Sequence, residues 1–429
     1  MGQNRCAVMV ATALFSVGAL GHAAAADSGG ELTQLRQQLA EQRQSMQAME
    51  KRLLELEGKE QKRIGSGVEA GYTRPRLNEG LDNQDIYDGG FYVKSKDNSF
   101  SLKVNGFGQF RYTFFSPEEG KSNNNFDLAL GRLAFSGNVF DPRFSYFMQL
   151  EGSTFGNNNN ITMLDWWGRY TFAPELYVQT GRSIIWYSRQ FITHPGMLLF
   201  SDLSAAEFAF SLYRAVGGLL GGKWGPLSYT AQVTNSIRAL DASGQQNFGK
   251  DMATVGRLEL DVLEPYGYIE AVPVPVSKPQ LSFGAAVAYN PIDSASQFQN
   301  VLPGDRTVNV IFDGGFRIHG LSIQGAGYFR KTELPGPNSD DWGWYGQAGY
   351  FLIPEHLELA GRVSGVDFQQ ANNPATFYKE TTEYSLGFNY YLYGNGLKIQ
   401  VDYSFLDQEP FVGTNRSNNQ LRVQTQFLF

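Results

Sequence analysis

The side chains in this sequence that could do chemistry are charged residues placed at every second position of long segments. Guanidinium groups in such positions can bind carboxylates and phosphates through paired hydrogen bonds. The basic candidates are Lys103, Arg111, Arg132, Arg169, Arg257, Arg317, Arg330, Arg362, Lys398 and Arg422. The acidic ones are Glu151, Asp165, Glu259, Asp261, Asp313, Glu358, Glu383 and Asp402. A surface that carries both positive and negative side chains, with a small excess of positive ones, can guide small anions. A wall that only polarises water between opposed charges is the alternative.

Catalysis would need a base with a suitable partner, and the histidines do not supply one. His319 falls in a predicted turn, His356 follows Pro354 in another, and His194 has no serine at a diagnostic spacing. The sequence shows no glycine loop for phosphate, no histidine metal cluster and no regular calcium-loop spacing. We therefore expect no enzyme, no cofactor and no bound metal.

The segments that carry the charges alternate between apolar and polar residues, which is the two-residue period of a β-strand. The final nine residues, LRVQTQFLF, place Leu, Val, Thr and Phe on one face and Arg and Gln on the other. We predict sixteen strands from this pattern. They are 101–114, 126–139, 144–155, 161–173, 175–184, 211–222, 226–235, 252–263, 279–290, 306–317, 319–331, 341–353, 355–367, 381–393, 396–407 and 417–429.

The connections between these strands are alternately short and long, and the chain ends on an aromatic residue. No segment after the N-terminal leader approaches eighteen consecutive apolar residues, so we expect no transmembrane helix. The pattern predicts an all-β fold, a 16-stranded antiparallel transmembrane β-barrel with lipid outside and water inside. A soluble sandwich would show the same alternation with its apolar face as the core.

Residues 1–26 have the features of a secretory signal peptide, with a positive start at Arg5, an apolar stretch and a small-residue cleavage site. Cys6, the only cysteine, precedes the apolar stretch, so we expect no thiol or disulfide in the mature chain. The 35 basic residues include Arg5, which leaves 34 against 42 acidic residues after cleavage. This negative balance argues against a nucleic-acid partner.

Residues 27–63 carry apolar side chains at alternating spacings of three and four, the a/d pattern of heptads, with Gln42 as the polar exception. We expect a periplasmic coiled coil, and a single amphipathic helix lying on another surface is the alternative. The glycines and Arg74-Pro75-Arg76 of 64–100 predict a linker that leads into the barrel at 101–429.

One connection, 185–210 between the fifth and sixth strands, is long and rich in aromatic and apolar residues. A long connection inside a compact fold is usually functional. We expect it to fold back into the lumen and narrow the channel; packing against a neighbouring subunit is the alternative. The candidate residues of this constriction are Arg182, Arg189, His194 and Asp202.

Several stretches resemble the phosphate-selective porin O and P family. They are GGFYVKSKDNSFSLKVNGFGQFRYTF (89–114), GRLAFSGNVFDPRFSYFMQLEG (131–152), DWWGRYTFAPELYVQTGR (165–182), WYGQAGYFLIPEHLELAGRVSGVDF (344–368) and TTEYSLGFNYYLYGNGLKIQVDYSF (381–405). The resemblance implies a trimeric sixteen-stranded porin with an inward-folded third loop, and a ladder of arginines backed by lysines where phosphate is preferred. The N-terminal heptads are similar to those of trimeric dicarboxylate-type porins.

We therefore expect an outer-membrane porin for passive diffusion of small hydrophilic solutes, with anions such as phosphate preferred. The expected partners are outer-membrane lipid and lipopolysaccharide, two further copies in a homotrimer, and small anionic solutes, with no nucleic acid. The expected location is the outer membrane of a Gram-negative bacterium, with the coil in the periplasm. A dicarboxylate-type specific channel and a non-channel receptor or adhesin barrel are the alternatives.

Overall fold

The computed structural model describes residues 28–63, 68–73, 89–154, 161–235, 237, 252–291, 306–333, 337–370 and 378–429. The predicted signal peptide lies outside these ranges, as do 64–67 and 74–88 of the predicted linker. The chain divides into two compact units, Met1–Gly67 and Val68–Phe429.

Residues 28–63, the described part of the first unit, form a 36-residue helix, α1 (Ser28–Arg63). Its heptad side chains Leu39, Met46, Met49 and Leu53 are all more than half exposed in the single chain. An apolar seam of this kind is unfavourable in water unless another surface covers it. The single chain contains no second helix of comparable length to cover this seam within the described ranges, and self-association into a coiled coil stays a prediction. No helix in the described ranges is long and apolar enough to cross a membrane.

The described part of the second unit contains eighteen strands. Two short ones fall within the predicted linker, β1 (Val68–Thr73) and β2 (Gly90–Ser95). The others are β3 (Ser101–Pro117), β4 (Asn123–Val139), β5 (Asp141–Gly152), β6 (Ile161–Ala173), β7 (Leu176–Ile184), β8 (Arg214–Trp224), β9 (Leu227–Thr234), β10 (Ala253–Asp261), β11 (Gln280–Asn290), β12 (Arg306–Ile318), β13 (Leu321–Glu333), β14 (Ser339–Ile353), β15 (Leu357–Asp367), β16 (Tyr378–Tyr391), β17 (Leu397–Pro410) and β18 (Arg416–Leu428).

The last sixteen strands are those predicted from the alternation, and no predicted end differs from the observed one by more than three residues. Each pairs antiparallel with the next, and β18 pairs with β3, which closes the barrel. At the seam Gly106 and Phe429 exchange two backbone hydrogen bonds of 3.1 and 3.0 Å. The prediction of a closed 16-stranded antiparallel barrel is confirmed. Strand β2 pairs with the first residues of β3 and with β1.

The two ends of the barrel differ in their connections. We call the end where β3 begins and β18 finishes the turn end, and the opposite end the loop end. Turn-end connections are short, as at 174–175, 225–226 and 319–320. In the last two, Gly225, His319 and Gly320 adopt the left-handed backbone conformation that tight turns require. One turn-end connection breaks this rule: 262–279, between β10 and β11, is long.

The barrel is apolar outside and charged inside. On β10, Leu258 is 56% exposed, whereas its neighbours Arg257 and Glu259 are 3% and 7% exposed. The same order recurs on β14, where Trp342, Trp344 and Tyr350 are at least half exposed. Aromatic rings near both ends of outward faces are typical of membrane interfaces. The sandwich alternative is therefore wrong, since it would bury the apolar face and expose the charges.

Barrel closure depends on a close approach of aromatic rings to glycine. A Cβ atom added to Gly106 would lie 2.3 Å from Cζ of Phe429, whereas one added to outward-facing Gly346 would meet nothing within 4 Å. We expect Gly106→Val to weaken closure by about 1 kcal/mol, because the terminal ring of Phe429 must turn away from the added Cβ. Gly346→Val is the matched control. The measurement is urea-dependent folding into lipid vesicles, followed by heat-modifiable gel migration; equal midpoints for both variants would contradict the prediction.

Candidate functional site

The third loop-end connection, 185–213, is organised by three local caps. The side chain of Ser188 caps helix α2 (Arg189–Ile192) by accepting from the amide of Phe191. His194 caps the 3₁₀ turn Pro195–Met197, and Ser204 caps helix α3 (Ala205–Phe210) by accepting from the amide of Glu207. Side-chain acceptors that satisfy otherwise free backbone amides in this way define where short helices begin. We call this segment the third loop.

The third loop lies against inward-facing side chains of β12 and of β15 to β17. The Glu383 carboxylate on β16 accepts from the amide of Ala205 at 2.8 Å, and the Ser364 hydroxyl on β15 accepts from the amide of Ala206 at 3.0 Å. On β17, Asp402 accepts from the amide and hydroxyl of Ser201. Wall side chains thus pair with loop backbone, as buried polar groups require.

Arg189 anchors the loop in the interior and does not face open space. Its guanidinium lies 3.1 Å from Glu259 and 3.3 Å from Asp313, and donates to the carbonyl of Gly267 and the hydroxyl of Ser282. Burial alone would lower the pKa of Arg189, but Glu259 and Asp313 hold it above its ordinary value. The prediction that Arg189 lines the constriction is therefore wrong: the structure buries it behind the loop.

Of the other candidate constriction residues, His194 lines the cavity beside the third loop as a buried ring, and Arg182 lies on the barrel wall. Burial holds the pKa of His194 well below its ordinary value, so its ring is neutral and packs on Phe107 at 4.7 Å between centroids. Arg182 belongs to β7 and pairs with Trp166, which is exposed on the outer face, while its Nε donates to the carbonyl of Leu164. Asp202 also lines this cavity.

Glu207 of α3 is a buried acid between the loop and the wall. It accepts hydrogen bonds of 2.5 Å from the hydroxyls of Ser188 and Tyr328. Burial raises the pKa of Glu207 to about 7, against these hydrogen bonds, and nearby Asp313 and Glu270 add to the rise. Its protonation state therefore changes near neutral pH.

A second segment also folds inward, from the turn end. In the long connection 262–279, the side chains of Tyr266, Ile269, Glu270 and Val272 are buried. Arg317 on β12 holds this segment by donating to the carbonyls of Tyr266 and Ile269. We call it the turn-end plug. Sequence reasoning missed it, although its apolar content is the same signal that singled out the third loop.

Glu270 joins the plug to the third loop. Its carboxylate accepts from the amide of Leu199 at 2.7 Å and from the side-chain amide of Gln190 at 2.9 Å. Its own amide donates to the carbonyl of Met197 at 3.1 Å. Three hydrogen bonds from one buried residue thus fix the middle of the loop.

The two inward segments leave a cavity of about 480 Å³, lined by the third loop and by residues of β3 to β8. The charged side chains that line it are Arg111, Arg132, Glu151, Asp165, Arg169, Asp202 and Arg214. Arg132 pairs with Glu151 at 2.6 Å, and Arg214 pairs with Asp165 at 3.1 Å. The loop contributes apolar side chains on the other side, among them Phe191, Leu203 and Phe208.

Only three of the ten basic wall candidates line this cavity. Arg111 and Arg132 do so in the middle of their strands, and the Arg169 guanidinium lies 4.0 Å from the ring centroid of Tyr177 and donates to Gln179. The remaining seven lie elsewhere. Arg257, Arg330, Arg362 and Arg422 form buried ion pairs, Arg317 and Lys398 donate to backbone carbonyls of the inward segments, and Lys103 is half-buried near the turn end.

Arg214 is the lining arginine that the alternation did not identify. It is the first residue of β8, where Ala215 is buried and Val216 is exposed, so strict alternation places Arg214 on the outer face. Tyr213 before it has a left-handed backbone (φ 58°), and the Arg214 side chain reaches Asp165. The direction of a side chain at the end of a strand depends on the local backbone conformation, so the alternation in the sequence does not predict it.

Within the described ranges, no three His, Cys, Asp or Glu side chains come together in a way that could hold a metal ion. The charged groups of the cavity are instead cations paired with carboxylates. The arrangement can hold and exchange small charged solutes, and its four arginines outnumber its three carboxylates.

No protein-family profile matches this sequence, and no curated protein matches it. Solved structures do match. The anion-selective porin from Comamonas acidovorans has a TM-score of 0.57 at 13% identity, over 77% of this chain and 100% of that one. The outer membrane channel DcaP of Acinetobacter baumannii has 0.54 at 13% identity, over 79% and 99%. Salmonella typhi OmpF has 0.52 at 16% identity, over 78% and 99%.

At these identities the likeness establishes the fold, which is that of outer-membrane porins. The resemblance to the phosphate-selective O and P family is not confirmed by these matches and stays a prediction.

Glu270→Ala tests the link between the plug and the third loop. Removing the carboxylate leaves the amide of Leu199 without its acceptor, so we expect hydrogen exchange over 197–200 to accelerate by roughly tenfold or more. Glu264→Ala is the control, because Glu264 lies in the same segment but pairs on the surface with Lys278. If both variants exchange at the wild-type rate, the plug does not hold the loop.

Glu207 predicts a pH dependence of loop packing. Its raised pKa means that the packed loop favours the protonated acid, so stability is lost as pH rises through about 7. We expect amide exchange over 204–210, corrected for intrinsic rates, to be faster at pH 8 than at pH 6. Glu207→Gln should remove this difference; a difference that persists in that variant would assign it to another group.

Proposed function

We propose that this barrel is an outer-membrane channel through which small hydrophilic solutes, and anions in preference to cations, diffuse passively. The observation that carries the proposal is the cavity beside the third loop, where four arginines face three carboxylates. A solvated passage needs polar walls inside and an apolar face against lipid, and the inward and outward sides of β10 have these properties.

The third loop and the plug set the width of this passage. The third loop packs against β10 to β16, whereas Ile269 and Val272 of the plug cluster with Phe147 and Trp167, which line the cavity on its other side. A solute therefore passes between the arginines of the wall and the apolar side chains of the loop. In this proposal the third loop is the constriction, with Asp202 as its charged residue, and Arg189 and Glu270 hold it in place.

Anion preference rests on where the charges lie. Three of the wall cations, Arg257, Arg330 and Arg362, are neutralised by buried carboxylates away from the cavity, so they contribute little to the field along the path. Arg422 pairs with buried Asp402 and also lies 3.3 Å from Asp202 of the cavity wall. Arg111, Arg132 and Arg169 lie on β3, β4 and β6 of one wall, and such a wall attracts anions by charge and by forked hydrogen bonds. The name of the Comamonas acidovorans porin, an anion-selective porin, supports the same assignment.

The proposal extends to the assembly and its surroundings. The exposed seam of α1 favours a coiled coil in the periplasm that helps to hold three barrels together. The apolar outer face would contact outer-membrane lipid and lipopolysaccharide. Phosphate is the anion suggested by the sequence resemblance, and dicarboxylates are the alternative that the same arginines would accept. We propose no catalytic activity.

The selectivity is tested by reversal potentials of the purified protein in planar bilayers under a salt gradient. We expect a modest anion preference in the wild type and its loss or reversal in Arg132→Gln, because Glu151 is then left without its counter-charge. One unit charge near the path changes an ion's energy by about 1 kcal/mol, a roughly fivefold effect on each permeability and, because anion and cation respond in opposite directions, about 30-fold on their ratio.

Arg143→Gln is the matched control, because Arg143 lies at the turn end, pairs with Asp141 and stacks on Tyr170 away from the cavity. Its reversal potential should equal that of the wild type. Cation preference in the wild type would refute the anion assignment, and absence of any conductance from correctly folded protein would refute the channel and favour a receptor or adhesin.

A further inference from the structure

The two short strands at the turn end, β1 and β2, have no part in the proposed passage. All six residues of β1 pair antiparallel with β2, and β2 pairs with residues 101–104 of β3. Strand β18 pairs with β3 only from Phe107 onward, so β2 continues the wall where β18 has ended. We call β1 and β2 together the N-terminal ribbon.

The N-terminal ribbon has one polar and one apolar face. On the polar face, the carboxylate of Glu69 lies 3.4 Å from Nζ of Lys94 and accepts from the hydroxyl of Tyr92 at 3.1 Å. The apolar face consists of side chains that are 41% to 54% exposed, namely Val68, Tyr72, Phe91 and Val93.

The apolar face joins the outer face of the barrel at its closing seam. The ring centroid of Phe91 lies 5.2 Å from that of Tyr72 and 6.1 Å from that of Phe429, the last residue of the chain. Phe429 is in turn stacked with Phe427 at 6.4 Å. A contiguous apolar patch of this kind marks a surface that another molecule covers.

The free edge of β1 decides between lipid and protein as that molecule. Within the described ranges, β2 occupies one edge of β1 and no strand pairs with the other. In hydrocarbon, the unpaired N–H and C=O groups of this edge would have no partners, which excludes immersion in lipid. A protein surface can cover the apolar face and also pair with the edge.

The position of β1 in the chain points to a second copy as that protein. Residues 64–67 alone separate the end of α1 from the start of β1. This short connection spans at most about 18 Å. A coiled coil of α1 helices, as proposed above, would therefore bring the β1 strands of its members close together.

We propose that the N-terminal ribbon is a contact between copies of this chain, in which its apolar face packs on a neighbouring barrel and the neighbour covers the free edge of β1. The inference rests on the proposed trimer and assigns it an interface beyond the coil. In a closed ring of three, each copy donates one ribbon and receives another, so the contact forms three times.

Photo-crosslinking from single cysteines tests the contact. The only cysteine, Cys6, lies in the predicted signal peptide, so an added thiol is the sole label site of the mature chain. Ala70→Cys carries a benzophenone on the apolar face of the ribbon, beside Val93 of β2. We expect irradiation of the folded protein in phospholipid vesicles to give a product of two-chain mass.

Ala231→Cys is the matched control, because Ala231 is also an exposed alanine on an outward strand face, on β9. We expect it to give no product of two-chain mass. A label at position 70 that reacts only with lipid or only within its own chain would overturn the proposal.

Substitutions test whether the contact holds the assembly together. Phe91→Ser with Val93→Ser removes the apolar contact, whereas Phe283→Ser with Val287→Ser removes side chains of similar exposure from β11. We expect the first pair to lower the temperature at which the oligomer dissociates in detergent gels by roughly 10 °C, and the second pair to leave it unchanged.

Equal shifts in both pairs, or a wild type that migrates as a folded monomer, would contradict the inference. Val93→Ser against Val287→Ser replaces the double variants if they fail to fold, as judged by heat-modifiable migration. Neither experiment uses conductance, so a barrel that conducts without this contact, or forms the contact without conducting, is recognised as such.

Discussion

In hydrocarbon, no water can satisfy a backbone N–H or C=O group, and the whole structure depends on meeting this constraint by closing the sheet. Pairing of β18 with β3 leaves no free edge along the barrel wall. Closure then dictates the inverted distribution of side chains, with Leu258 outside and Arg257 inside. Charged residues that a soluble fold would place on its surface are gathered in one enclosed space, where their partners decide what they do.

Enclosure makes charge pairing the organising force of the interior. Asp313 illustrates this, since it pairs with Arg257 from the wall and with Arg189 from the third loop. Removing one partner of a buried pair costs about 3–5 kcal/mol, so these contacts fix the loop position strongly. The same contacts remove most of the wall charge from the field along the passage. Structural arginines thus differ from those of the proposed passage in whether their partners are buried against the loop or face the cavity.

The sequence predicted the features that repeat locally. A two-residue period located all sixteen barrel strands, and the apolar content of 185–210 marked the third loop. The same period already places Arg182 outside, since Gln179 of the same strand is buried. Contacts between distant residues had no such signal. Arg189 meets Asp313, Glu270 meets Leu199, and Asp202 meets Arg422 only because the folded loop brings them together, and no spacing in the chain encodes these distances.

In the proposed channel, selectivity therefore depends on which charged side chains face the cavity, and not on the total number of acidic and basic residues. The chain carries 42 acidic and 35 basic residues, and the wall candidates number ten basic against eight acidic. Neither comparison predicts the sign of the passage, because the paired charges cancel at short range and their fields fall off steeply in water. The sign is set by the few groups that remain on the cavity wall. Asp202 is one of them, because the third loop places its half-exposed carboxylate between Arg111 and Arg422.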